Sequence, residues 1–218
     1  MSIKKKITVT FLLDRSNDWI EKHLLKFNFN QKNKFIFKIK KNYKTVNKQD
    51  IVFILSYTKI LSESFLKNNR LNLVIHGSDL PKDRGFAPVQ NQVLRGKSII
   101  DICLLKAAKK VDAGDIFLRS KFRLKNSDIS PEIRKKQAIA TFKIINKFLN
   151  KYPKIIAKKQ MGKSTFNKRR SLFSNKLNIN ESIKKQFNIM RISDNEKYPS
   201  FFKIYNTKYI LKIFKIKN

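Results

Sequence analysis

Residues 50–76 read DIVFILSYTKILSESFLKNNRLNLVIH. Ile51–Leu55 is an unbroken apolar run, as expected of a strand buried on both faces. Ser62–Lys67 suits a short helix, and Leu71–His76 is a second apolar run ending on a histidine. A strand, a helix and a strand in this order argue for an α/β fold with a mainly parallel sheet. The flanks extend the alternation. Upstream, Lys6–Leu13 is a β-branched strand, and Asp18 is placed to cap a helix from Trp19 to about Phe27, with Ile20, Leu24 and Leu25 on one face. Phe35–Ile39 alternates apolar and basic residues, as a half-buried strand does. Downstream, residues 87–95 suit a helix and Ile99–Leu105 a strand.

The texture then changes. Asp115–Leu124 reads as a strand. Ser130-Pro131 opens a helix to about Asn150, with serine as cap and proline in the first turn. Its stripe is Ala138, Phe142, Ile145 and Leu149. Residues 161–180 are polar and read as loop, followed by a helix near Glu181–Met190. Two strands, Phe201–Tyr205 and Tyr209–Ile216, turn around Asn-Thr. The expected organisation is a catalytic unit over residues 1–155 and an extension over 156–218 that ends in a short helix and a β-hairpin. No internal repeat is seen, and no G-x-G-x-x-G follows the first strand, so a dinucleotide fingerprint is absent.

Composition bounds the function. Fifty Lys and Arg against fifteen Asp and Glu give a net charge of +35. Lysines scattered along the chain beside abundant Ile, Asn and Phe read as compositional bias over a solvated surface, with a residual preference for anionic ligands. A nucleic-acid partner is not the favoured reading, although clustered cations would allow one. One cysteine, Cys103, excludes an internal disulfide framework and fits a reducing compartment. There is no cleavage pattern for export and no apolar run near the roughly 20 residues of a membrane helix. A soluble cytoplasmic protein is expected, with no membrane partner.

The most irregular stretch, VIHGSDLPKDRGFAPVQ at 74–90, carries one of only two histidines. In an open α/β sheet, ligands sit beyond the carboxyl ends of the strands, and His76 stands at such an end. Further on, VDAGDIF at 111–117 places Asp112 before a glycine turn and a strand. A carboxylate beside an imidazole orients it and favours its charged form, and a His–Asp pair on adjacent loops is a common acid/base device. A histidine satisfied by a loop carbonyl is the plainer alternative. Two histidines and one cysteine far apart make a zinc site unexpected, and no metal is anticipated.

At these residues the chain resembles the formyltransferase family that uses 10-formyltetrahydrofolate. The shared features are His76 with the turn GSDLP (77–81), Arg84-Gly85, the segment DAGD (112–115), and upstream DIVFILSYTKIL (50–61). The resemblance covers residues 50–120 well and the rest loosely. It implies that His76 and Asp112 form the acid/base pair, and that Ser56, Tyr57, Thr58, Ile60, Leu61, Asp112 and Asp115 flank the folate. The family's asparagine, which helps hold the oxyanion, falls at Val74, a side chain with no donor. Asn72 shares the strand face but lies about 7 Å back, from a rise of roughly 3.3 Å per residue. Ser78 or a backbone N–H after His76 is the expected replacement. Asp79, the other nearby carboxylate, is expected to bond its own turn.

FLLDRSNDW (11–19), the stretch HGSDLPKDRG and the tail RISDNEKYPSFFKIYNTKYILKI (191–213) resemble a bacterial sugar subgroup of this family. That subgroup also tends to lack the asparagine. The likeness implies formyl transfer to a UDP-linked 4-amino-4,6-dideoxy sugar, as in pseudaminate-type cell-surface glycan pathways. A pyrophosphate needs cations, for which Lys82, Arg84, Lys168, Arg169 and Arg170 are the candidates, with Phe166 or Phe173 to stack on uracil. The alternatives are a formyltransferase for another amine, initiator methionyl-tRNA or a purine precursor, and a non-catalytic basic RNA-binding protein. A homodimer is left open.

Overall fold

The structure is a computed structural model that describes residues 6–15, 18–30 and 33–216. In chain order its elements are β1 (Ile7–Leu13), α1 (Glu21–Leu24), β2 (Phe35–Lys40), β3 (Ile51–Leu55), α2 (Glu63–Lys67), β4 (Leu71–His76), the two-residue β5 (Arg84–Gly85) and α3 (Pro88–Leu94). Then follow β6 (Ile99–Lys106), β7 (Ile116–Arg123), α4 (Ser130–Lys151), the two-residue β8 (Phe166–Asn167), α5 (Ile183–Ile192), β9 (Ser200–Ile204) and β10 (Thr207–Leu211). Six strands form one sheet in the order β2-β1-β3-β4-β6-β7. β2, β1, β3 and β4 are parallel, as expected of the mainly parallel α/β class. β6 and β7 run antiparallel. The reversal has a simple cause. α3, at about 1.5 Å per residue, rises only some 10 Å, too little to carry the chain back to the start of β4.

Side-chain alternation along the strands gives the sheet two buried faces. Val9, Phe11, Leu13, Ile51, Phe53, Leu55 and Leu73 point to one side, onto α1 and the stripe Ala138, Phe142, Ile145 and Leu149 of α4. Leu12, Val52 and Ile54 point to the other, against Phe65 of α2. Phe53 and Phe148 are fully buried and meet edge to face at 5.9 Å. Each such side chain contributes about 1.5–3 kcal/mol by burial. Ser62 caps α2 by accepting from the Phe65 N–H at 3.2 Å.

Several boundaries differ from the sequence reading. The first helix stops at Leu24 and leaves Leu25 exposed. Phe27 and Phe29 both turn inward, onto Phe142 and Phe11, which a continuing helix would not allow for residues two apart. Asp18 and Trp19 begin a 3₁₀ turn, and the Asp18 side chain lies outside what is described. Ser130 is the first residue of α4 and not its cap. There Glu132 reaches back to accept from the Ile129 N–H at 3.1 Å. The hairpin turn is Tyr205-Asn206, both left-handed (φ 48° and 57°), one position before the expected Asn-Thr, and its second strand ends at Leu211. Residues 161–180 include β8, which pairs in parallel with β5.

The chain after α4 is stitched to the sheet by polar contacts. Ile116 and Lys158 exchange backbone hydrogen bonds at 2.8 and 2.9 Å. Arg191, buried on α5, donates to the carbonyls of Asp128 (2.9 Å) and Lys125 (2.8 Å). Arg134 of α4 pairs with Asp194 at 2.7 Å. Burial pushes the Asp194 carboxyl up, but the N–H groups of Lys197 and Glu196 and the Arg134 guanidinium outweigh it and hold the group below its ordinary value. Cys103 sits on β6 opposite His76, fully buried, and burial pushes its thiol up to about 12. Among the described residues no helix is long and apolar enough to cross a membrane.

Two outcomes follow for stability. Arg191→Met strands two carbonyls and should cost about 2–4 kcal/mol in denaturant unfolding. A depressed carboxyl stabilises the fold above its unfolded pKa, and that contribution fades as pH falls through the folded value. Asp194→Asn should therefore lower stability at pH 7, and the difference from wild type should vanish in acid. An equal deficit at both pH values would refute this.

Candidate functional site

His76 ends β4 with its ring held between two acceptors. Nε2 lies 2.8 Å from the Asp83 carbonyl oxygen, and Nδ1 lies 3.4 Å from Asp112 Oδ2. A carbonyl only accepts, so Nε2 carries a proton and donates it to Asp83. Nδ1 faces the Asp112 carboxylate. The same Oδ2 accepts from the Gly85 N–H at 2.9 Å. His76 and Asp112 are 6% and 11% exposed, dry enough for an electrostatic interaction between them to escape most solvent screening.

The backbone around the pair is unusual. Seven non-glycine residues among those described have left-handed φ, and Ser56, Asp83, Ala87 and Asp112 gather here. Such residues cost about 1 kcal/mol or more each and persist where surrounding contacts enforce them. Asp83 is held by Arg95 through its carboxylate and by the Thr165 hydroxyl, which accepts from its N–H at 2.8 Å. Gly114 has no room for a side chain, since a Cβ there would stand 1.8 Å from the Lys106 carbonyl oxygen.

A cavity of about 460 Å³ opens over the pair. Its lining includes Ser56–Leu61, Val74, His76, Val111 and Asp112, together with Trp19, Phe86, Gln90, Arg134 and Gln137. The expected folate segment Ser56, Tyr57, Thr58, Ile60 and Leu61 is thus brought to the expected acid/base pair. Asp14, at the end of β1, anchors that segment by accepting from the Thr58 N–H at 2.9 Å and from its hydroxyl.

Other expected site residues stand elsewhere. Ser78 is fully buried, and its hydroxyl donates to the Lys82 carbonyl at 2.7 Å, so it braces the turn and faces away from the cavity lining. Asn72 is buried and donates to the Leu66 carbonyl. Asp115 is outside the lining, and its carbonyl accepts from the Lys106 N–H. Lys82 borders a separate hollow with Arg119 and Lys163. The Asp79 carboxylate pairs with Arg119, while its backbone carbonyl accepts from the Lys82 N–H of its own turn at 3.1 Å. Arg84 is buried, donates to Gln160 Oε1 at 2.7 Å and sits 5.8 Å from the Phe166 ring centre. Arg170 turns inward to the Ser174 carbonyl and Asn175 Oδ1. Phe173 is exposed beside Phe201. Of the basic loop, Lys168 is exposed, and the exposed Arg169 guanidinium lies 5.6 Å from the ring centre of Phe86, which lines the cavity.

Sequence reasoning did not single out Phe86, Gln90, Arg134, Gln137 or Gln160 for the site. They are spread over two helices and two loops, with Arg134 and Gln137 together on α4, and no local pattern marks them. The nearest available signal was the glycine and proline punctuation around Phe86.

A family model described as formyl transferase matches residues 4–149. The bifunctional polymyxin resistance protein ArnA of Wigglesworthia glossinidia brevipalpis is 36% identical over 109 residues, 50% of this chain and 17% of that protein. The chain spans less than half the length of the curated relatives it matches. A methionyl-tRNA formyltransferase from Clostridium thermocellum superposes with a TM-score of 0.82 at 22% identity, over 98% of this chain and 94% of that one. A 4-N formyltransferase from Francisella tularensis does so at 0.71 and 14%, over 97% and 99%. At these identities the two structures speak for the fold.

The geometry predicts a stability effect at Ser78. Ser78→Ala removes one buried hydrogen bond and should lower stability by about 1–2 kcal/mol while leaving ligand affinity intact. Weakened ligand binding at unchanged stability would reverse that assignment.

Proposed function

The chain belongs to the formyl transferase family, and on that premise we propose that it moves a formyl group from 10-formyltetrahydrofolate to a primary amine. The observation that carries the proposal is the His76–Asp112 pair under a cavity whose wall is the Ser56–Leu61 segment. That cavity is within the roughly 300–1,000 Å³ usual for small-molecule sites. The folate pterin lies against Ser56–Leu61 and Val111, where backbone groups recognise it. The amine enters from the side of Trp19, Phe86, Gln90 and Gln137.

In this reading the amine nitrogen bonds to the formyl carbon and the carbonyl electrons move to oxygen. His76 Nδ1 takes the proton that the amine loses, and Asp112 offsets the positive charge on the ring. The carbon–N10 bond then breaks, N10 receives the proton from the imidazolium, and the carbonyl reforms as an N-formyl amide. Tetrahydrofolate leaves. Val74 contributes no hydrogen bond to the oxyanion, and the geometry at Ser78 argues against that residue as the replacement. A backbone N–H beyond His76 is the remaining assignment from the sequence.

We further propose that the acceptor is a nucleotide-linked amino sugar, a UDP-4-amino-4,6-dideoxy-N-acetyl hexose, with residues 156–218 contributing to its binding. Arg169 over Phe86, with Lys168 beside it, supports this, because it puts cations at the mouth for a pyrophosphate. One second reading has its own support. The net charge of +35 favours an aminoacyl-tRNA acceptor, the kind of substrate named for the Clostridium thermocellum neighbour.

The test is turnover of 10-formyltetrahydrofolate with each acceptor. His76→Asn and Asp112→Ala should each leave no more than a few per cent of wild-type turnover with the sugar nucleotide, without loss of fold. An active His76→Asn sinks the acid/base assignment. Arg169→Ala should raise KM for the sugar nucleotide about tenfold, as for one lost charged contact, and hardly move kcat. Turnover with methionyl-tRNA alone would replace the sugar by the second reading.

A further inference from the structure

The two acceptors that grip the His76 ring are themselves held from one place, the segment 158–167, which the sequence assigns to no step of the chemistry. Its entry is fixed by the Ile116–Lys158 pairing, with hydrogen bonds in both directions. Continuing that antiparallel register sets Gln160 opposite Gly114, where the missing side chain lets an amide lie across the turn. Gln160 Nε2 donates to the Asp112 carbonyl at 2.7 Å and to the Gly114 carbonyl at 2.8 Å. Its Oε1 accepts from Arg84 at 2.7 Å. Every hydrogen-bonding position of this amide but one acceptor lone pair is therefore engaged. Five residues later the other flank is tied. The Thr165 hydroxyl accepts from the Asp83 N–H at 2.8 Å, and the Thr165 carbonyl accepts from the Arg84 N–H at 2.9 Å.

Asp112 and Asp83 both sit in left-handed backbone (φ 51° and 59°), a conformation that external contacts have to enforce. For Asp112 the carbonyl end of that residue is held by Gln160. For Asp83 the amide end is held by Thr165, and its own carbonyl takes the His76 Nε2 proton. We propose that Gln160 and Thr165 are positioning residues for the acid/base pair. Gln160 sets where the Asp112 carboxylate stands relative to Nδ1, and Thr165 sets the Asp83 carbonyl that selects the Nε2–H form of the ring. The inference rests on the formyl-transfer reading of His76 for its kinetic consequence, but its structural content stands on the ring alone. It also links the basic loop to the chemistry, because Lys168 and Arg169 continue directly from the segment that holds the ring's partners.

The chain has two histidines, so a His23→Gln background leaves His76 as the single imidazole in a ¹⁵N spectrum. In that background the ring should show the Nε2–H tautomer. Gln160→Met removes all three amide contacts at similar size. Gln160→Glu keeps the acceptor for Arg84 but replaces the two N–H donors by a charged oxygen facing the Asp112 and Gly114 carbonyls, so it is a second, isosteric probe of the same contacts. Both should perturb the His76 ring resonances and lower kcat about 30- to 100-fold with the UDP-4-amino-4,6-dideoxy sugar, while KM for either substrate stays within about threefold. Thr165→Val should mix the tautomers, and Thr165→Ser should restore the wild-type spectrum. Unchanged ring resonances in Gln160→Glu and Thr165→Val would overturn the proposal whatever the substrate proves to be. A wild-type kcat in Gln160→Glu beside an inactive His76→Asn would overturn its kinetic part. An active His76→Asn would strike the formyl-transfer reading instead, leaving the spectra to decide this one.

Discussion

One imidazole, at the end of a buried strand, has to meet two acceptors that arrive on loops far from each other in sequence. Much of the architecture near His76 is organised by that requirement. β4 is the last parallel strand of the sheet, so its end is also where the sheet changes direction. The reversal brings the chain back along β6 and lets the turn before β7 carry Asp112 to the ring. The turn that follows His76 folds back far enough for Asp83 to reach the other ring nitrogen. Two left-handed aspartates, a glycine with no space for a Cβ and a buried serine brace are the local cost of that convergence.

The Ser56–Leu61 lining of the cavity depends on the same logic at a second strand end. Asp14 leaves β1 and gathers the Thr58 amide and hydroxyl, which sets a segment following β3 against the cavity. Asp14 collects the Thr58 amide and hydroxyl, and Asp112 collects the Gly85 N–H beside the His76 ring.

The strand–helix alternation and the stripe on α4 were legible because burial imposes periods of two and 3.6 on the residues themselves. The fold class followed from those periods. The reversed direction of β6 was not written in any period; it came from the short reach of α3. At the site, His76, Asp112 and Ser56–Leu61 were legible as motif residues, because each lies at a strand end with a turn beside it. Arg84 and Ser78 take partners that the sequence did not show, for one reason. Their sequence neighbourhood shows a charge and a hydroxyl beside the motif, but direction is decided by partners such as Gln160 and the Lys82 carbonyl. Gln160 itself was illegible, since a lone glutamine in a basic run has no local signature and acquires its position only through the Lys158 pairing.

The single thiol adds something different. Cys103 sits in register with His76 on the adjoining strand, sealed from water and with its proton tightly held. A thiolate is the species that reacts with disulfides and alkylating reagents, so this side chain is silent as long as β4 and β6 stay zipped. It becomes reactive only when that seam parts. The molecule thereby carries a built-in clock for opening events at the very strand that bears the imidazole. The rate at which a thiol reagent consumes it measures how often the floor of the cavity breathes, residue for residue, with no probe attached.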